Sequence, residues 1–391
     1  MFIDYTPEQK ALRDELRAYF DKLMTPERRA GLRGMEGGAT YREVILEMGR
    51  DGWLGVGWPK EYGGQGRTAL EQFIFIDEVR RAGAPFPFVT LSTVGPVLMS
   101  LGSEEQKAEY LPKILAGEIH FAIGYTEPEA GTDLASLSTE AVQDGDDYVI
   151  TGTKIFTSGA NDADYIWLAA RTSTEGKKHH GITIFILDTK DPGFSASLIH
   201  TVGTGATCMS YYDHCRVPAS NIVGGLNGGW RLITSQLNHE RVGLAAFGAL
   251  SLKHLDDVVA WSRETEDENG RPVAEIPWVQ SSLAEAMARL EAMKLMNWRM
   301  AWEVEQGEVD PAHASAVKVY GTEAVIEAYR LMLDVVGAAG TLRNGSPGAV
   351  LQGELELNYR ACQINTFGGG VNEIQREIVS MAGLRMPRVP R

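Results

Sequence analysis

Apolar residues recur at helical spacing near both ends of the chain and at strand spacing in its middle. Leu12, Leu16 and Tyr19 make one buried stripe. Ahead of it stand Thr6 as N-cap, Pro7 at the first helical position and Glu8 at the positive end of the dipole. The same spacing predicts helices over Tyr41–Met48, Leu70–Ala82 and Glu104–Ala116. Between the first two of these windows, Gly52–Gly66 holds six glycines, one proline and two tryptophans, which reads as a structured loop rather than a linker. Near His120 the pattern changes. Tyr148–Thr151, Tyr165–Ala170, Ile182–Leu187 and Phe194–Ile199 are short β-rich runs separated by Gly, Asp and Asn turns. Val217-Pro218 and the glycines at 224, 225, 228 and 229 close that region. Helical periodicity then returns over Leu237–Ala260, Val279–Gln306 and Ala312–Val336, each long enough for a bundle. Helices, then a β domain, then helices predict a helical protein with an inserted barrel or sandwich.

Composition narrows the class. The 391 residues are 44% hydrophobic and 23% charged, which fits a globular chain with a large core. Lys and Arg number 37 against 52 Asp and Glu, a net charge of −15, so neither nucleic acid nor an anionic membrane is the expected partner. Cys208, Cys215 and Cys362 have no Cys-x-x-Cys spacing and read as reduced thiols. No apolar run approaches the ~18–20 residues that cross a bilayer, and the opening has no secretory pattern. A cytoplasmic protein is the expectation.

The usual nucleotide fingerprints are missing: there is no strand–Gly-x-Gly-x-x-Gly–helix unit, and Gly203-Thr204-Gly205 lacks the lysine of a phosphate-binding loop. Lys177-Lys178-His179-His180-Gly181 reads as a charged hairpin tip. With no carboxylate or cysteine nearby to partner the histidines, no metal is assigned there. More informative is Tyr125-Thr126-Glu127-Pro128-Glu129-Ala130-Gly131-Thr132-Asp133. It is either an ordinary polar turn or a loop whose hydroxyls and glycine amides suit a flavin edge and a pyrophosphate. About thirty residues on, Lys154-Ile155-Phe156-Thr157-Ser158-Gly159 places an aromatic ring beside two hydroxyls, an arrangement that suits an isoalloxazine face and its N5 side.

Together these segments resemble the acyl-CoA dehydrogenase family along nearly the whole chain. Gly52-Trp53-Leu54-Gly55, Pro59-Lys60-Glu61-Tyr62-Gly63-Gly64, Val217-Pro218-Ala219-Ser220-Asn221 and the glycine-rich turn before Ile374-Gln375-Arg376 support it. The resemblance implies an α+β, mostly helical fold: an N-terminal helical domain (1–118), a middle β-barrel (119–228) and a C-terminal four-helix bundle (229–391). It implies FAD held by Tyr125, Thr126, Gly131, Thr132, Phe156, Thr157 and Ser158. Glu373, where relatives often carry a Gln against the flavin nucleotide, is assigned to cofactor or structure. The implied reaction removes two hydrogens from Cα and Cβ of an acyl-CoA. A Glu of pKa raised towards ~6–7 takes the α-proton, and donors polarise the thioester.

Relatives place that Glu in one of two positions. The commoner one, in the C-terminal turn, is occupied here by Gly369. The other lies on the first bundle helix and is matched by Glu240 in Gln236-Leu237-Asn238-His239-Glu240-Arg241. Glu240 is therefore the expected base. Asn238 and Arg241 are assigned near CoA, and the Gly369 N–H to the thioester oxygen. Without the resemblance, Glu240 reads as an ordinary helical surface residue.

Two departures bear on assembly. Where homomeric relatives offer an Arg and a Phe to a neighbour's FAD, alignment places Glu266 and Asn269. Where they offer a Gln, Asp334 stands. An acidic side chain facing a pyrophosphate repels it, so these positions resemble the α2β2 steroid-degrading acyl-CoA dehydrogenases of actinobacteria, in which a homologous base-lacking subunit completes the flavin site. Otherwise 264–268 is a solvated loop and Arg263 or Arg271 reaches the phosphates. The resemblance further implies a steroid side-chain CoA as substrate and electron transferring flavoprotein as acceptor. A branched- or long-chain acyl-CoA dehydrogenase, a flavin monooxygenase or oxidase on the same scaffold, and a non-catalytic partner subunit are the alternatives.

Overall fold

The computed structural model describes residues 4–32, 37–203, 205–234, 248–307 and 309–387. The first layer is helical: α1 (Pro7–Leu23), α2 (Pro26–Leu32), α3 (Ala39–Arg50), α4 (Ala69–Arg81), α5 (Gly95–Leu101) and α6 (Glu104–Leu115). Three of these start on reciprocal caps. Thr6, Thr68 and Ser103 each accept from the backbone N–H three residues on, while Gln9, Glu71 and Gln106 return the bond. Leu12 and Leu16 of α1 are buried as the stripe predicts, but its third member Tyr19 is only half-buried and the neighbouring Phe20 takes the buried place.

The middle of the chain forms one sheet of eight strands: β1 (Phe121–Gly124), β2 (Glu140–Asp144), β3 (Asp147–Ile155), β4 (Tyr165–Arg171), β5 (Ile182–Asp188), β6 (Phe194–His200), β7 (Ala206–Pro218) and β8 (Ile222–Val223). Their order is β6-β7-β3-β2-β4-β5-β8, with β1 parallel to β4. The four predicted strand runs all lie within β3–β6. β2 escapes the pattern because Ala141 is its only buried residue, and β1 because it spans only four residues.

β4 and β5 are covered on both faces, so they read as continuous apolar runs rather than alternating ones. Ile166, Leu168, Phe185 and Leu187 point into the sheet's own core with Tyr148, Ile150 and Tyr212. Trp167, Ala169, Ile182, Ile184 and Ile186 instead join the N-terminal helices in a single cluster. Polar ties reinforce that seam. Arg42 of α3 bonds Asp162 and Asp164, and Gln106 of α6 donates to the carbonyls of Ser220 and Ile222.

The last layer contains α7 (Ala249–Glu264), α8 (Pro277–Glu305), α9 (Pro311–Val336), α10 (Glu354–Cys362) and α11 (Asn372–Ile378). α7, α8 and α9 share a core of Leu255, Val258, Leu290, Met293, Ala328 and Met332. The helix expected over Leu237–Ala260 is described only from Ala249; its earlier part lies outside the described residues. Cys208, Cys215 and Cys362 are free and buried. Among the described residues no helix is long and apolar enough to cross a membrane.

Gly95 opens α5 against Trp58 of the glycine-rich loop, and a Cβ there would overlap the indole ring. Gly95→Ala is expected to destabilise the protein by about 1–3 kcal/mol through overpacking. A lowered midpoint of chemical denaturation would show it.

Candidate active site

A buried ion pair ties the two loops singled out in the sequence to each other. Lys154, at the end of β3, is 0% exposed and Glu127 is 4% exposed. Lys154 Nζ donates to Glu127 Oε1 at 2.8 Å and to the Tyr125 carbonyl at 3.1 Å. The other donors to Glu127 are the Ser138 and Thr139 N–H groups, at 2.6 and 2.8 Å, and the Ser138 hydroxyl. The Ile155 N–H donates to the Thr126 carbonyl, so backbone also crosses between the loops. Burial opposes ionisation of Glu127, but the Lys154 charge and the bonds from Lys154 and Thr139 outweigh it and hold the carboxyl at about 2. Burial pulls Lys154 down to about 8 against that same attraction. Both groups are charged at neutral pH. In the sequence the two stand in separate loop motifs, and nothing there beyond a Glu and a Lys signals the pair.

On this foundation stand the residues read as flavin-binding. The Tyr125 hydroxyl accepts from Trp167 Nε1 at 3.0 Å. Gly131 and Thr132 are exposed at the loop's rim, and Asp133 beside them pairs with Lys178 of the β4–β5 hairpin. Phe156 is 58% exposed and has φ +61°, the left-handed region that bulky side chains avoid. The Ser158 hydroxyl sits at the surface and bonds Thr207 Oγ1 at 3.0 Å. Thr157 differs from its neighbours. Its hydroxyl is fully buried and bonds Ser210, so its side chain faces the sheet's interior rather than the open face. His179, of the charged tip, packs its ring against Trp230.

The C-terminal glycine turn follows α10 on the bundle side. Gly203 lies close to Ala361, and Arg360 of α10 donates to the Val202 carbonyl, so the segment joining β6 and β7 meets α10. Gly369 and Gly370 have φ +68° and +92°, which gives their glycine identity a backbone reason. The Gly369 N–H donates to no protein group among the described residues. Glu373 is exposed in the first turn of α11. Glu240, Asn238 and Arg241 lie outside the described residues.

The acidic segment after α7 is a tight hairpin. Asp267 accepts from the Asn269 and Arg271 N–H groups and from the Arg271 side chain, so Arg271 is engaged inside its own loop. Asp334 is taken up by Arg330 at 2.6 Å.

The Glu127–Lys154 pair has a sign-definite consequence. Because the folded carboxyl titrates far below its unfolded value, its stabilisation is fully present above about pH 4.5 and disappears as pH falls towards 2. Lys154→Met leaves the buried carboxylate unpaired and is expected to cost roughly 3–5 kcal/mol at neutral pH. That penalty shrinks in acid, where Glu127 becomes neutral. Denaturation curves of the two proteins at pH 7 and pH 3 would read the difference.

Comparison with known proteins covers almost the whole chain. The family models described as the N-terminal, middle and C-terminal domains of acyl-CoA dehydrogenase match residues 6–118, 122–215 and 227–384. Acyl-CoA dehydrogenases FadE26 and FadE29 of Mycobacterium tuberculosis are 52% and 50% identical, each over the full length of both chains. Among solved structures, the Tcur3481-Tcur3483 steroid ACAD superposes with a TM-score of 0.95 at 55% identity, covering 100% of both chains. The ChsE4-ChsE5 complex of Mycobacterium tuberculosis does so with 0.94 at 52%, also over both whole chains. With three consecutive domains of one family in their usual order, the chain belongs to the acyl-CoA dehydrogenase family and is an oxidoreductase.

Proposed function

We propose that the protein dehydrogenates an acyl-CoA thioester to its trans-2-enoyl-CoA, with FAD as cofactor and a steroid side chain as the acyl group. One observation carries the cofactor reading: Phe156 presents an exposed ring from a left-handed backbone position, at a segment fixed from beneath by Thr157 and Lys154. A bulky residue in that backbone region is strained in the way ligand sites often are, and its outward ring is placed to lie against a flat group. The neighbouring chemistry fits a flavin dinucleotide. Ser158 and Thr126 offer hydroxyls, Gly131 and Thr132 lie exposed for phosphate oxygens, and Tyr125 borders the loop.

In this reading Glu240 takes the α-proton. Its carboxylate serves best where a dry cleft raises its pKa towards ~6–7. The Gly369 N–H donates to the thioester oxygen and stabilises the negative charge that develops there as the α-proton leaves. Asn238 and Arg241 border the CoA. FAD, when bound, accepts the hydride that leaves the β-carbon. With glycine at 369, one carboxylate serves the site, and it comes from the bundle helix.

A second subunit completes the site in this proposal. The steroid ACAD and the ChsE4-ChsE5 complex are named as two-component assemblies. In this chain the acidic hairpin binds Arg271 to Asp267, and Arg330 holds Asp334. Neither of these two arginines is free for a neighbour's pyrophosphate, Arg263 stands exposed in the last turn of α7 at the hairpin's edge, and Glu266 would repel the phosphates. A homologous base-lacking subunit in an α2β2 assembly supplies those donors, with two FAD per tetramer, and electron transferring flavoprotein accepts the electrons. The cytoplasm is the expected compartment for this chemistry.

Anaerobic bleaching of the flavin tests the reaction. The panel is the CoA thioester of a 3-oxosteroid bearing a branched side-chain acid, isobutyryl-CoA and octanoyl-CoA. The steroid thioester is expected to bleach fastest, and Glu240→Gln to slow it by about 10²–10⁴-fold. Undiminished bleaching by the variant would refute the base, and oxygen-dependent turnover that ignores it would favour a monooxygenase or oxidase. For assembly, the chain produced alone is expected to hold little FAD, and coexpression with a base-lacking homologue to restore it. A fully flavinated homotetramer would contradict the heteromeric reading.

A further inference from the structure

We propose that Lys318 of α9 is a positioning residue for the dehydrogenation, gripping both flanks of the glycine turn so that the Gly369 N–H is aimed at the thioester oxygen. This rests on the role given to Gly369 above.

The geometry is specific. Lys318 is 6% exposed, and its ammonium donates to the Thr366 carbonyl at 3.0 Å, the Gly370 carbonyl at 2.9 Å and Asn372 Oδ1 at 2.7 Å. Three acceptors use the full donor capacity of a lysine. They lie three residues before, one after and three after Gly369. The far side of the grip is itself anchored: Asn372 Nδ2 donates to Thr322 Oγ1 and to Glu323, which also holds Arg376. Gln375 Nε2 reaches the Gly369 carbonyl at 3.3 Å.

No carboxylate lies within ion-pairing distance of Lys318 among the described residues, so carbonyl and amide oxygens carry the charge. Glu373 and Glu323 attract it from farther away, while burial pulls the ammonium down to about 8. A buried cation without a paired anion is a poor way to stabilise a helix packing site, where an apolar side chain of the same length would serve better. It is a good way to freeze three consecutive glycines. Gly368, Gly369 and Gly370 have no side chains to restrain them, and two of them occupy left-handed backbone positions. An amide that stabilises developing charge has to be in place before the charge appears, or reorganisation takes away the benefit. Here a buried side-chain cation is spent on the peptide groups around the donor rather than on the substrate.

The test uses the flavin-loaded assembly and whichever thioester of the panel bleaches the unmodified enzyme, ¹³C-labelled at its carbonyl. Lys318→Met is expected to lower the saturating bleaching rate per bound flavin by about 10–100-fold, the scale of a donor misplaced by about 1 Å. The half-saturating concentration should change less than about 3-fold. The infrared stretch of the bound carbonyl should move back towards its frequency in free thioester. A lysine with only a structural role would lower the melting temperature or flavin content and leave rate and stretch intact; that result overturns the proposal. If Lys318→Met does not fold, Asn372→Ala, which removes one of the three acceptors, must show the same pattern in weaker form, and an unchanged rate and stretch there overturns it equally. Absence of bleaching in the unmodified assembly would instead refute the functional reading on which this rests.

Discussion

A lysine ammonium and a glutamate carboxylate, both removed from water, fix the geometry on which the candidate site depends. Lys154 and Glu127 meet at 2.8 Å, and between them they bond two loops, one carbonyl and two backbone amides. Either charge alone would be prohibitive at that depth, so the pair forms only when both loops are in place. This makes the arrangement close to all-or-none. Tyr125 and Thr126 flank one partner in sequence and Phe156 to Ser158 follow the other, so the open face above inherits its rigidity from below. A hydrogen-bonded surface pair of the same residues would hold neither loop firmly.

The helical ends and four of the strands were legible because their apolar periodicities are strong and their caps explicit, as at Thr6 with Gln9. β2 was not, since a strand with one buried side chain leaves no alternation to read. The site was legible as motifs but not as contacts. Phe156 could be picked out as an aromatic beside hydroxyls, yet its left-handed backbone and exposure came only with the structure. Thr157 and Ser158 look equivalent in sequence and face opposite ways, because the chain turns between them and Thr157 is drawn to Ser210 inside the sheet. Lys318 gave no signal in the sequence. It lies in an ordinary helical stretch, about fifty residues from the turn it grips.

In the proposed heteromeric assembly, the acidic hairpin after α7 limits partnership through charge. Its arginine is folded back onto Asp267, and the side chains left outward around 264–268 are largely acidic. Two copies of this face brought to one dinucleotide would stack negative charge against its phosphates. On that proposal, specificity for an unlike subunit needs no elaborate contact surface, since like pairing would bring negative charge to the phosphates.

Because β4 and β5 touch water on neither side, the sheet serves as a wall common to two rooms. Trp167 and Ile184 furnish one, Leu168 and Phe185 the other. Stripping away the first hundred or so residues would therefore not liberate a self-sufficient β module; it would bare a greasy panel with every second side chain facing solvent. The N-terminal helices and the strands are thus tied to a shared evolutionary fate: neither can be exchanged for a foreign counterpart unless the panel between them is recut as well.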